Sequence, residues 1–151
     1  MGGACLYGTG VDLLSLTRFA SLLARSRASA AVSSPHARLG RSERLARRIL
    51  CDEELADWQR LEARHDRVRW LACRWAAKEA AYKALSPPFQ ISWHDLMLRS
   101  ASSGRPRLSL SASGTRGALG QFLPPGLRWH VSLSHDAGLV IAMVHLEQPG
   151  A

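Results

Sequence analysis

The sequence predicts an α+β fold, a mostly antiparallel sheet with helices packed on one face. Three observations predict it. A strand-like segment opens the chain, a series of helical periods runs on to Leu85, and short β-rich segments separated by turn residues follow Pro87-Pro88. At 151 residues and 46% apolar, a chain buries roughly 70% of its unfolded surface, so one domain over 1–151 can form a core without disulfides.

The first segment, Leu6 to Leu13, combines apolar residues with Gly8 and Gly10, and Ser15 is placed to cap a helix carrying Leu16, Phe19, Leu22 and Leu23. Residues 26–42, rich in Ser, Ala and Arg with Pro35 and Gly40, keep no period and read as a mobile insertion. A short helix is expected over Arg41–Ile49. Asp52, Glu53 and Glu54 then open a helix to about Ala63, their charges suiting the positive end of the helix dipole. Asp66 caps the longest helix, which ends at Pro87-Pro88. That helix is apolar nearly all round, so it belongs in a core and its charges need a partner or a ligand.

Beyond the prolines, Ile91–Leu98 and Arg107–Leu110 read as a hairpin turning at Ser102–Pro106. A short helix over Ala112–Leu123 stops at Pro124-Pro125-Gly126. Arg128–Ser134 and Leu139–Leu146 close the chain as two strands around a turn at His135–Gly138, the second apolar enough to be central.

The chain carries 20 basic residues against 12 acidic ones, for a net charge of +8. Asp12 and Glu43 are the only acids in the first 50 residues, and Lys78 and Lys83 the only lysines. Such a charge implies an anionic partner, which by itself admits nucleic acid, a membrane surface, a phosphorylated molecule or an acidic protein. Leu139–Val144, the longest apolar run, is far short of the ~20 residues that span a bilayer, so no membrane association is expected. Cys5, Cys51 and Cys73 cannot all pair and lie at no metal-ligand spacing. They read as reduced thiols of an intracellular protein, without zinc.

Candidate chemistry concentrates in three segments. In Arg74-Trp-Ala-Ala-Lys78-Glu79-Ala-Ala-Tyr-Lys83, Arg74 with Lys78 and Glu79 with Lys83 are i, i+4 pairs on an otherwise apolar helix. They suggest a cleft wall at which a phosphate and a divalent cation share charges. Asp12, at the end of Gly8-Thr-Gly-Val-Asp12, would with Glu79 give Mg²⁺ the one or two carboxylates it takes alongside phosphate and water. Ser132-Leu-Ser-His135-Asp136 places hydroxyl and imidazole donors at a strand end, without the Gly-x-Ser-x-Gly elbow of a hydrolase.

These segments, with Arg18 six residues beyond Asp12 and a Gly104-Arg-Pro106 turn, resemble the short type of 4'-phosphopantetheinyl transferase, the holo-acyl-carrier-protein synthase family, in order and over nearly the whole chain outside 26–42. The resemblance implies Mg²⁺-dependent transfer of 4'-phosphopantetheine from coenzyme A to a serine of an apo acyl carrier protein, with adenosine 3',5'-bisphosphate released. It places Asp12 and Glu79 on the metal and Lys83 on phosphate, with Glu79 as candidate base. Arg74, Lys78, Ser134 and His135 would line the coenzyme A site, and Arg18 and Arg25 would meet the acidic carrier. Short members also resemble one another in forming homotrimers with sites between subunits. The reduced thiols point to a cytoplasmic setting, with the mitochondrial matrix as the alternative. Where the family usually has a Gly-Thr-Gly loop, this chain has Ala84-Leu-Ser-Pro-Pro88. The alternative is a basic nucleic-acid-binding module without catalysis, in which Trp70 and Trp75 stack on bases. It lacks an RNP pattern, a helix-turn-helix and a zinc finger, so no nucleic acid is expected as a partner.

Overall fold

The computed structural model describes residues 3–24, 40–62 and 66–150. In order, its elements are β1 (Cys5–Ser15), α1 (Leu16–Ala24), α2 (Arg41–Ile49), α3 (Asp52–Arg60), α4 (Arg67–Leu85), β2 (Leu96–Ser100), β3 (Pro106–Leu110), α5 (Ala112–Arg116), α6 (Ala118–Phe122), β4 (Arg128–Asp136) and β5 (Leu139–Gln148). The expected α+β architecture is present. β1, β5 and β4 form a three-stranded antiparallel sheet with β5 in the centre, while β2 and β3 make a separate antiparallel ribbon.

The sheet and α4 meet through small residues. Gly8 and Gly10 face the helix so closely that a Cβ on either would run into backbone, the carbonyl oxygen of Ala84 in one case and of Ala80 in the other. On the helix side the contact surface is Ala76, Ala77, Ala80, Ala81 and Ala84, all buried. The glycine pair therefore admits a helix backbone rather than a ligand. Val140, Ala142, Val144 and Leu146 of β5 fill the same face, whereas Leu139, Ile141 and Met143 alternate outward with Val11 and Leu13 of β1.

Several boundaries differ from the sequence reading, each for a local reason. Asp12 does not end its strand: β1 pairs with β5 as far as Ser15 opposite Leu139, so Asp12, opposite Ala142, projects toward α4 from mid-strand. The segment before β2 starts as a 3₁₀ turn over Trp93–Asp95, because the Ser92 hydroxyl accepts from His94 N–H (3.3 Å) and Asp95 accepts from Ser92 N–H (2.7 Å). The helix expected over Ala112–Leu123 is broken in two at Gly117. The last turn narrows to Ala137-Gly138, both at positive φ (46° and 76°), the geometry of a two-residue hairpin, so His135 and Asp136 belong to β4.

Other signals hold. Asp66 accepts from the N–H of Arg69 (2.9 Å) at the start of α4, and Ser15 accepts from the N–H of Arg18 (3.3 Å) at the start of α1. Gly40, Arg41 and Ser42, at the end of the 26–42 stretch, cap and open α2; its other residues lie outside the described ones. Among the described residues, no helix is long and apolar enough to cross a membrane.

Candidate active site

The charged motif of α4 was expected to form one cleft wall, and the structure divides it three ways. Five residues on a helix turn about 140°, so Arg74 and Glu79 face different sides. Lys78 points inward, seven residues from both Leu71 and Leu85 and therefore on their buried face.

On one flank stand Asp12, Lys83 and Glu79. The Lys83 ammonium donates to Asp12 Oδ1 (2.8 Å) and to the carbonyl of Val11 (2.9 Å), which draws the β1 carboxylate to the helix one turn beyond Glu79. Glu79 Oε1 accepts from the indole N–H of Trp93 (2.9 Å). Arg48, Tyr82, Ile91, Ser92 and Trp93 join Glu79 around a cavity of about 440 Å³. Two separate segments thus deliver their carboxylates to one side of α4, each tied to a donor through one oxygen. Among the described residues no three His, Cys, Asp or Glu side chains form a metal-binding group. A hard cation that takes phosphate oxygens and water asks for only two such carboxylates, so the donor set fits Mg²⁺.

On another flank Arg74 and His135 line a second cavity, of about 350 Å³, with Arg69, Arg99, Cys73 and Trp70. The Arg74 guanidinium lies 3.1 Å above the Trp70 ring and donates to the carbonyls of Trp70 (3.2 Å) and Leu98 (3.4 Å). Burial pushes its pKa down to about 10, against the opposing pull of Glu54. Its Nε is buried without a hydrogen-bond partner among the described residues. That Nε lies 3.7 Å from the buried Glu54 carboxylate, so Arg74 is partly neutralised from within, while Arg69 and Arg99 keep the pocket cationic and suited to an anion.

Two assignments need correction. Lys78 is fully buried, and its ammonium donates to Glu54 (2.5 Å), Ile49 O (2.8 Å) and Trp93 O (2.8 Å), which uses all three protons and leaves none for coenzyme A. Ser134 and His135 cannot line one pocket of one chain, because neighbouring residues of β4 face opposite sides of the sheet. Ser134 stands beside Ile141 on the outer face, and His135 beside buried Val140 on the inner one. Arg18 is exposed on α1, next to a groove between α1 and α2 lined by Leu22, Arg41, Arg44, Leu45, Arg48 and Trp75. Arg25 lies outside the described residues.

Glu54, Trp93 and Arg48 were missed as members of this constellation. Glu54 lay hidden in an acidic run that suits a helix start, while the Leu71–Lys78–Leu85 spacing was the available sign that a buried cation needed an acid.

Residues 8–144 match the model of the 4'-phosphopantetheinyl transferase superfamily. The chain belongs to that superfamily. As a member of it, the chain is similar to the holo-[acyl-carrier-protein] synthase of Frankia alni, 39% identical over 94% of this chain and 98% of the relative. It is also similar to that of Anaeromyxobacter sp. strain K, 36% identical over 96% and 98%. Among solved structures, the holo-[acyl-carrier-protein] synthase of Neisseria meningitidis superposes with a TM-score of 0.70 at 25% identity, covering 95% of this chain and 100% of that one. The fold is shared with the Bacillus anthracis synthase, solved in complex with CoA (3',5'-ADP), at a TM-score of 0.65, 24% identity and 95% and 97% coverage. These two relatives are bacterial, and the mitochondrial alternative draws no support from them.

Proposed function

We propose that this transferase moves 4'-phosphopantetheine from coenzyme A to a serine hydroxyl of an apo acyl carrier protein. The serine oxygen bonds to phosphorus, the pyrophosphate P–O bond breaks, and adenosine 3',5'-bisphosphate leaves. The observation that carries the reading is the convergence of Asp12, Lys83 and Glu79 on one flank of α4.

Asp12 and Glu79 would hold Mg²⁺, which when bound neutralises pyrophosphate charge and polarises the phosphorus. Lys83, almost half exposed, has an ammonium that can turn from Asp12 to a phosphate oxygen. Glu79 would take the serine proton, its second oxygen being free of the Trp93 bond. Catalysis of phosphoryl-type transfer consists mainly of such positioning and charge neutralisation. The pocket of Arg69, Arg74, Arg99 and His135 offers cations and an imidazole to the remaining phosphate of coenzyme A.

That pocket and the Asp12–Glu79 pair lie on different flanks of α4, and a homotrimer would reconcile them by placing one copy's pocket beside another's carboxylates. In support, Val11, Leu13, Ile141 and Met143 form an exposed apolar stripe across adjacent β1 and β5, with Ser134 at its margin. Arg18 and the basic groove between α1 and α2 suit an acidic carrier surface, so loading slows as salt rises. Cytoplasmic conditions suit the thiols, since Cys51 and Cys73 are unpaired.

The nucleic-acid reading loses its stacking platform. Trp70 lies between Trp58 (5.8 Å) and the Arg74 guanidinium, and Trp75 between Phe19 (5.8 Å) and Trp93 (4.6 Å). The deciding experiment incubates the protein with coenzyme A, Mg²⁺ and apo carrier proteins and weighs the carriers by mass spectrometry. A phosphopantetheine mass gain on the carrier serine is expected, and no gain across several carriers overturns the reading.

A further inference from the structure

Trp93 grips two successive residues of α4 that face different ways. Its backbone carbonyl accepts from the buried ammonium of Lys78 (2.8 Å), and its indole N–H donates to Oε1 of Glu79 (2.9 Å). An indole can only donate, so this bond requires an acceptor oxygen, which Glu79 supplies.

The residue is itself held from several sides. Its ring packs against Trp75, with centroids 4.6 Å apart, and the Arg48 guanidinium sits 5.8 Å from its centroid. Its backbone lies in the 3₁₀ turn that Ser92 and Asp95 cap. Lys78 in turn is pinned by Glu54 and by the carbonyl of Ile49. A continuous set of contacts therefore leads from the buried Glu54–Lys78 pair, through Trp93, to the carboxylate that borders the cavity. A glutamate side chain with three rotatable bonds loses rotamer freedom when ordered, and a donor already fixed by packing orders it before substrate arrives.

We propose that Trp93 is a positioning residue, holding one oxygen of Glu79 so that the carboxylate is set for metal and substrate. The inference rests on the role of Glu79 proposed above. It assigns Trp93 no contact with substrate.

Trp93→Phe keeps an aromatic ring and removes the N–H together with the pyrrole half of the indole, so its melting curve is measured beside its rate to separate lost packing from the lost hydrogen bond. With coenzyme A, Mg²⁺ and a carrier that the wild-type protein loads, it should lower kcat about tenfold, the effect of one hydrogen bond to a charged group. KM for coenzyme A and for the carrier should stay within about twofold. A second readout needs neither metal nor turnover. In ¹⁵N-labelled protein the indole N–H signal missing from Trp93→Phe identifies Trp93. Glu79→Ala should move that signal and speed its exchange with water, while those of Trp58 and Trp129 stay in place.

A folded Trp93→Phe variant with wild-type kcat would overturn the inference, and so would an indole signal unmoved in Glu79→Ala. If Trp93→Phe fails to fold, the Trp93 indole signal is assigned instead from through-space contacts to the neighbouring Trp75 ring, and Glu79→Ala then decides alone, since Trp93 is intact there. Wild-type protein that loads no carrier is a different result: it removes the transfer reaction, and with it the catalytic meaning of the contact, whatever the indole signal does.

Discussion

Lys78 and Lys83 lie five residues apart on α4 and each meets a carboxylate, yet the two ion pairs occupy opposite environments. Lys78 and Glu54 are both 0% exposed, while Lys83 is 48% and Asp12 15% exposed. Around the buried pair all three protons of the ammonium are engaged, and Glu54 also accepts from the N–H groups of Cys51 (3.2 Å) and Leu98 (2.9 Å), joining α2, α3, α4 and β2 at one point. Around the half-exposed pair, water and ligand can compete for the ammonium. Identical chemistry therefore makes a structural joint in one place and a candidate phosphate site in the other, and solvent access is the difference.

Matched lysine replacements test that contrast most severely. Lys78→Met strands the Glu54 charge in the core and should cost about 3–5 kcal/mol in urea unfolding, enough to threaten folding. Lys83→Met should cost about 1 kcal/mol or less, as partly exposed pairs do, while depressing transfer. Replacing both Glu54 and Lys78 by apolar residues should recover only part of the loss, because the Cys51 and Leu98 N–H groups would stay unpaired. Equal destabilisation by the two lysine variants would break the comparison.

At the half-exposed pair, the expected loss is of rate. Asp12→Asn keeps shape and removes charge, and should lower turnover about a hundredfold, equivalent to roughly 2.7 kcal/mol of barrier, with a near-native melting curve. A variant as active as wild type would detach Asp12 from the reaction. One that melts far earlier would move the pair into the same structural class as Glu54–Lys78.

Much of the fold was legible because local signals agreed with the tertiary answer: Asp66 caps α4, Pro87-Pro88 follows its end, and the apolar run of β5 becomes the central strand. The site was legible only where residue type sufficed. Lys83 meets Asp12, and Glu79 lies one helical turn before Lys83 on the same flank, but helical spacing alone grouped Lys78 with Glu79, although burial separates them. Ser134 and His135 were paired as sequence neighbours until strand alternation placed them on opposite faces. Trp93 had no motif, since its link to Glu79 depends on a turn that brings residue 93 back to α4.

The glycines of β1 bear on how Asp12 reaches the helix. In Gly10→Ala the new Cβ would meet the Ala80 carbonyl and lie 2.8 Å from the Ala84 nitrogen, backbone that cannot swing away. We expect about 1–3 kcal/mol of destabilisation, as in overpacked cores. Because the strand must retreat from α4, transfer should fall even in molecules that remain folded. Unchanged stability together with unchanged activity would show that the approach of β1 to α4 tolerates slack.

The smallest effect belongs to the thiol beside the buried pair. Burial, together with the adjacent Glu54 carboxylate, pushes the Cys51 thiol from 9.0 up to about 12. The folded protein therefore keeps a proton that the unfolded chain gives up at lower pH. By linkage, the Cys51 contribution to stability is fully present below about pH 9 and is lost as pH rises toward 12. Lys78 and Arg74 act in the opposite sense, since burial lowers both. Those two contributions persist in Cys51→Ala, so the difference between the two proteins isolates the thiol. Urea midpoints measured at steps from pH 8 to 11 should fall faster in wild type than in Cys51→Ala, and parallel curves would mean that the thiol ionises in the folded core as readily as in the unfolded chain.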